Sequence, residues 1–156
     1  MKTIAFFGHS RVYDKHQLDK ELFELLNVYV PQGYTNFLVG CYGDFDKLVC
    51  STCKNYKTNL KQNVKINVVL SSLSFLTKNQ YGFSKADIYK NDGYETIIYE
   101  IEQVHHKQRI TFSNKKMVDS SDLIICYVDM KSYKSGAKTT INYAIRQNKK
   151  IINLFN

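Results

Sequence analysis

The 156-residue chain has no tryptophan, a single proline and only three arginines. No apolar run approaches the roughly 18 residues that a membrane-crossing helix needs, so no membrane association is expected. The opening Met1-Lys2-Thr3-Ile4-Ala5-Phe6-Phe7-Gly8 is too short and too soon polar for a secretory leader, which makes a cytoplasmic location the expectation. Low-complexity tracts, internal repeats and linker-like stretches are also missing. What is present is a hydrophobic fraction of 44%, including 9 Phe and 12 Tyr. That excludes a disordered or collagen-like chain and is enough for a core. The length suits one domain, taken as residues 1–156.

The scarcity of arginine bears on how the charge is read. With 22 Lys and Arg against 14 Asp and Glu the formal charge is +8, which invites a nucleic-acid reading. Yet 19 of the cations are lysine, and only Arg11, Arg109 and Arg146 are arginine. Base readout and bidentate phosphate grip favour arginine. Residues 1–78 hold 10 cations and 6 anions, and residues 79–156 hold 12 and 8, so each half is +4 with no basic tail. Nucleic acid is therefore a possible partner but not the favoured one.

Several motifs are missing as well. Cys50-Ser-Thr-Cys53 is a lone C-x-x-C with no second pair to complete a zinc site. It falls inside a helical pattern, so these cysteines read as core or helix-surface thiols. His105 and His106 lack helical metal spacing, and no metal or cofactor is expected. There is no G-x-x-x-x-G-K-[ST], and Gly40 and Gly43 stand three apart, so no G-x-G-x-x-G exists. A P-loop NTPase and a dinucleotide dehydrogenase are thus disfavoured.

The hydrophobic pattern alternates between strand and helix. Residues 2–7 form an apolar run ending at Gly8, which reads as a buried strand. Leu18, Leu22, Leu25, Leu26 and Tyr29 mark one helix face, capped by Asp14 and ended by Pro31-Gln-Gly33. A second strand covers residues 35–40. The helix after it opens at Gly43-Asp44 and turns Phe45, Leu48, Val49, Thr52 and Tyr56 to one side. Val64–Leu70 is a third strand. Residues 71–94 are polar and read as a long functional or mobile loop, with a short strand within 94–99. Residues 100–112 are ambiguous, and residues 114–120 read as a short helix. Leu123–Val128 is a strand, the helix after Ser135-Gly136 runs to Arg146, and Ile151–Phe155 closes the chain. Short β-α-β connections argue for right-handed crossovers, and hence for an α/β fold: a three-layer Rossmann-like sandwich with a mostly parallel sheet.

In such sheets ligands lie beyond the carboxyl ends of the strands. Three turns there are rich in small and polar residues: Gly8-His9-Ser10-Arg11, Gly40-Cys41-Tyr42-Gly43-Asp44, and Lys134-Ser135-Gly136. Glycine permits close backbone approach, and a helix N-terminus offers free N–H groups to a phosphate. Arg11, Lys134 and Lys138 stand beside these turns, and Tyr13, Tyr42 and Tyr133 are near enough to stack on a base.

The same segments carry a family resemblance. Phe6-Phe7-Gly8-His9-Ser10 resembles an F-F-G-H-R opening, and Gly40–Asp46 resembles a G-x-x-G-x-F-D turn. Asn114–Leu123 resembles R-N-x-x-M-V-x-x-S-D, and Ser135-Gly136 with Ile152-Asn153-Leu154 resembles an S-G…I-N-L ending. The ordered set is similar to the DUF1273-like branch of the SLOG superfamily, which also holds the LOG phosphoribohydrolases and the DNA-processing protein A fold.

The resemblance implies a bacterial or phage Rossmann-like domain that binds a nucleotide or nucleotide-derived signalling ligand, in some relatives for antiphage defence. It also implies a homodimer, paired through thinly covered sheet faces. The ligand residues expected are Gly8, His9, Ser10, Arg11, Gly40, Tyr42, Gly43, Asp44, Asn114, Lys134, Ser135 and Gly136. Two arginines of the pattern are replaced, by Ser10 and Ser113. The glutamate that enzymatic relatives carry on the last helix falls at Thr140, and no acid follows Met130. Binding without turnover is therefore the leading expectation. The alternatives are an N-glycosidic hydrolase or transferase recruiting Asp44, Asp46, Asp129 or a glutamate of residues 95–102, and a nucleic-acid-associated protein.

Overall fold

The computed structural model describes residues 1–155. Among them the chain forms β1 (Lys2–Gly8), α1 (Lys15–Tyr29), β2 (Tyr34–Val39), α2 (Gly43–Asn59), β3 (Lys65–Val69) and α3 (Lys85–Asn91). It continues with β4 (Glu95–Ile97), α4 (Arg109–Asp119), β5 (Leu123–Tyr127), α5 (Gly136–Arg146) and β6 (Lys150–Asn153). The strands pair in the order β4-β3-β2-β1-β5-β6, and every pair is parallel. The expected Rossmann-like sandwich is the fold observed.

Alternation along the strands sorts the core into two layers. Ile4 and Phe6 of β1, Phe37 and Val39 of β2, and Leu123 and Ile125 of β5 face α1 and α2. Ala5, Phe7, Leu38, Ile124 and Cys126 face the opposite way, toward Met117 and Val118 of α4 and Ile141 and Ala144 of α5. The longer helices α1, α2, α4 and α5 each contribute a buried stripe at spacings of three and four. In α1 it is Leu18, Leu22 and Leu26, and burying each such side chain stabilises the fold by about 1.5–3 kcal/mol. Asp14 caps α1 by accepting the Gln17 N–H, as the sequence predicts.

The structure departs from the sequence reading in three places. The segment 71–94 is not one long loop, because it contains α3. This helix is begun by a reciprocal capping box between Ser84 and Asp87 and is anchored to the first core layer by buried Ala86. Helix α4 starts at Arg109, five residues before the predicted start. Both sheet faces are covered by helices, so pairing through thinly covered faces loses its premise.

Candidate functional site

The chain winds outward from β1 in both directions, through β2 on one side and β5 on the other. This is a topological switch point, where open α/β sheets leave a crevice. A cleft of about 270 Å³ opens there, beyond the carboxyl ends of β1, β2 and β3. Helix α4 and the start of α5 form its other wall. Eight of the twelve expected ligand residues line it: Gly8, His9, Ser10, Gly40, Tyr42, Asn114, Ser135 and Gly136. Arg11, Gly43, Asp44 and Lys134 do not. Tyr13 and Tyr133 are 86% and 94% exposed and also lie outside it, so of the three tyrosines expected to stack only Tyr42 is in place.

His9 is held from both ends. Its backbone N–H donates to the Tyr127 carbonyl, and its Nε2 accepts the Asp129 N–H at 2.8 Å. A backbone donor fixes Nε2 as the acceptor, so the neutral ring carries its proton on Nδ1. Tyr127 and Phe155 pack edge-on against the imidazole. The ring thus joins the ends of β1 and β5 across the switch point.

The glycines owe their place to the protein itself rather than to room for a ligand. A Cβ on Gly8 would lie 2.3 Å from the Phe45 ring, and one on Gly40 would lie 2.7 Å from Asp46 Oδ2. Gly43 has φ +76°, and a Cβ there would sit 2.6 Å from Ser10 Cα. Asp44 secures this contact: its N–H donates to the Ser10 carbonyl, its carboxylate accepts the Val12 N–H, and Lys15 Nζ stands 3.7 Å away. Gly43 and Asp44 therefore hold the first turn against α2. Of the four glycines in these turns, Gly136 has open space around it.

On the opposite wall, α5 is capped by Ser135, whose Oγ accepts the Lys138 N–H. Gly136 and Ala137, the first two residues of the helix, line the cleft. Thr140 stands where the family resemblance would imply a glutamate. Its Oγ1 donates to the Gly136 carbonyl and accepts from Asn114 Nδ2 at 3.2 Å, which orients Asn114 at the cleft wall. Next to Asn114, Ser113 is 1% exposed, and its Oγ has no hydrogen-bond partner among the described residues.

No family model and no curated protein matches this chain. The reading of the cleft therefore rests on its own chemistry.

The acid in the cleft is Asp46, in the first turn of α2. Its Oδ2 accepts the Tyr42 N–H at 2.9 Å. Burial pushes its carboxyl up to about 7, against a smaller lowering by that hydrogen bond. Asp44 and Asp129, the other carboxylates weighed as catalysts, lie outside the lining. Cys41 and Cys50 sit beside Asp46, and burial with the nearby carboxylate pushes both thiols up to about 12. Among the described residues no three His, Cys, Asp or Glu side chains come together as a metal site.

Among the residues that sequence reasoning did not place at the site, Ser71, Ile110, Met117 and Ala137 also line its walls. Ser71 follows β3 as the glycine turns follow β1 and β2, and its Oγ donates to Tyr42 Oη at 3.0 Å. That position after a strand was a usable signal. Ile110 gave none, because the helix read from the sequence begins only at residue 114.

Lys134 lies elsewhere, in a groove on α5 with Lys138, Asn142 and Arg146. Lys138, Asn142 and Arg146 recur every fourth residue and so form one stripe of the helix, with Lys134 just ahead of its start. The end of the chain is also where the charge resides. Lys131, Lys134, Lys138, Arg146, Lys149 and Lys150 supply six of the eight net charges, with no acid after Met130. Splitting the chain at its midpoint conceals this.

Proposed function

We propose that this chain is a SLOG-like domain that binds a nucleotide-type ligand in the switch-point cleft without turning it over. The observation that carries the reading is the convergence of the β1 and β2 turns, Asn114 and the α5 N-terminus on one cleft at the position where open α/β sheets hold ligands. The family resemblance points the same way. Binding without turnover is favoured because Thr140 stands at the glutamate position and its hydroxyl is already engaged by Asn114 and Gly136. Calorimetry against nucleosides, nucleoside phosphates, ADP-ribose and cyclic nucleotides tests it. No heat with any of them at millimolar concentration, on protein shown to be folded, refutes it.

Asp46 favours a second reading, N-glycosidic hydrolysis. In that reaction water adds to the anomeric carbon, the base leaves with a proton, and a carboxyl titrating near neutrality suits the proton transfers. Release of free base that Asp46→Asn abolishes supports this reading; no release over hours refutes it.

The lysine and arginine stripe of α5 favours a polyanion contact in addition. If nucleic acid binds there, affinity for a labelled single strand falls steeply with salt. Binding that is absent, or indifferent to salt, removes that role.

A further inference from the structure

The cleft lining holds no lysine and no arginine among the described residues. Besides the Tyr42 phenol, its ionisable side chains are His9 and Asp46. His9 is committed through Nε2 to a backbone N–H and is neutral in that state. Asp46 adds negative charge, if any. Arg11 is exposed and outside the lining, Lys15 is paired with Asp44, and Lys134 and Lys138 face the separate groove on α5. Among the described residues the features attractive to an anion are two helix starts: that of α5, worth about half a charge at its tip, and that of α2, which Asp44 and Asp46 in its first turn already offset.

That balance disfavours a phosphate inside the cleft. Phosphate taken out of water needs countercharge and hydrogen bonds, and a nearby carboxylate makes matters worse. The cleft instead offers neutral polar groups between apolar walls of Phe7, Val69, Ile110 and Met117. Ser113 Oγ is a buried hydroxyl without a partner among the described residues. A buried polar atom in that state is rare in native structures, and an absent bonding partner accounts for it. Asn114 Nδ2 is tied to Thr140, while Oδ1 accepts nothing among the described residues. His9 Nδ1–H is a further donor. At about 270 Å³ the space lies just below the usual range for small-molecule sites, which suits one base with one sugar and not a dinucleotide.

We propose that the cleft selects an uncharged nucleoside-class ligand, with Ser113, Asn114 and His9 as its hydrogen-bonding groups and no phosphate inside the pocket. This rests on the nucleotide-type reading above and sharpens it. The ligand is recognised by hydroxyl and ring-edge hydrogen bonds, and any phosphate it carries projects past Ser10 into solvent.

The test is calorimetry on the full chain with each of the common nucleosides paired with its own 5′-monophosphate. The expected result is a nucleoside that binds at least about ten-fold tighter than its monophosphate. Ser113→Ala removes a hydroxyl that has no protein partner, so the variant folds at least as well as the parent. It is expected to weaken nucleoside binding about ten-fold with no drop in melting temperature. Ser10→Arg, at an exposed position on the rim, is expected to shift the preference toward the monophosphate. A monophosphate that binds tighter than its nucleoside overturns the inference and leaves the nucleotide-type reading standing. Silence with every member of both series overturns both. A Ser113→Ala variant that melts lower while binding as well as the parent assigns that hydroxyl to folding and overturns its place in recognition.

Discussion

Asp46 gives the most quantitative test of the cleft, because its environment is written into how stability depends on pH. Burial lifts its carboxyl from 3.8 to about 7. The folded protein therefore holds this proton over a range in which the unfolded chain has released it. Stability from this group is complete below about pH 4, falls as pH rises toward 7, and is lost above it. Three units correspond to about 4 kcal/mol at 1.36 kcal/mol per unit. The side chain keeps some contact with solvent, so about 2–4 kcal/mol is the working range. That is a large share of a total of about 5–15 kcal/mol. Asp46→Asn keeps an oxygen for the Tyr42 N–H and removes the titration. Urea unfolding of both proteins at pH 4.5 and pH 8 separates the terms. With a slope near 2 kcal/mol per molar urea, the variant's midpoint at pH 8 should exceed the parent's by about 1–2 M. At pH 4.5 the gap should nearly close. A gap that is the same at both pH values would refute the argument, since a constant difference reports packing rather than a proton.

The remaining expectations follow from single contacts. Gly8→Ala drives a methyl into the Phe45 ring at 2.3 Å; overpacking of about 1–3 kcal/mol should lower the melting temperature by roughly 2–12 °C. Gly136→Ala meets open space, and its melting temperature should stay within about 2 °C of the parent's. Ellman's reagent at pH 7.5 should label the native protein far more slowly than the urea-unfolded chain, because burial holds Cys41, Cys50 and Cys126 as thiols; equal rates would contradict the packing of α2. Thr140→Ala removes the partner of Asn114 Nδ2 and should weaken ligand binding through a disordered Asn114, read by calorimetry beside an unchanged urea slope.

The order of elements was legible because each is specified locally. Phe6-Phe7-Gly8, the leucines of α1 and the run Leu123–Val128 carry their periodicity within a few residues, and Asp14 announces a helix start. Helix α3 was missed although Ser84 and Asp87 form a capping box. Only Ala86 on its seven residues is fully buried, so no apolar stripe supported the cap. The start of α4 was missed for a related reason: Arg109, Ile110, Thr111 and Phe112 precede the first fully buried position, Ser113. The cleft was legible as three turns beyond strand ends. Which side of a turn each residue faces depends on packing between distant elements. Asp44 and Asp46 are two residues apart in one helical turn, and only the register of α2 against β1 sends one to the loop and the other to the cleft.

The separation of charge from cavity yields a final prediction. If one basic site held both a nucleotide phosphate and a nucleic-acid strand, mutations there would impair both together. Here the cationic stripe lies along α5 outside the cleft, and among the described residues the cleft lining has no lysine or arginine. The positions where the family resemblance places arginine are Ser10 and Ser113, both in the cleft. Positive charge is thus missing where a phosphate would have been gripped and dense where a backbone would lie across the surface. The double variant Asn142→Glu, Arg146→Glu changes the stripe by three charges without touching the cleft lining. If the parent binds a single strand, the variant should lose the salt-dependent part of that binding, measured by anisotropy at about 50 mM salt, where counterion release is strong. Nucleoside binding by the same variant should stay within about two-fold of the parent, since screening at this ionic strength confines surface charge effects to roughly 10–14 Å. A parallel loss of both activities would mean that cleft and stripe form a single anion site, and the uncharged-ligand assignment would fall with it.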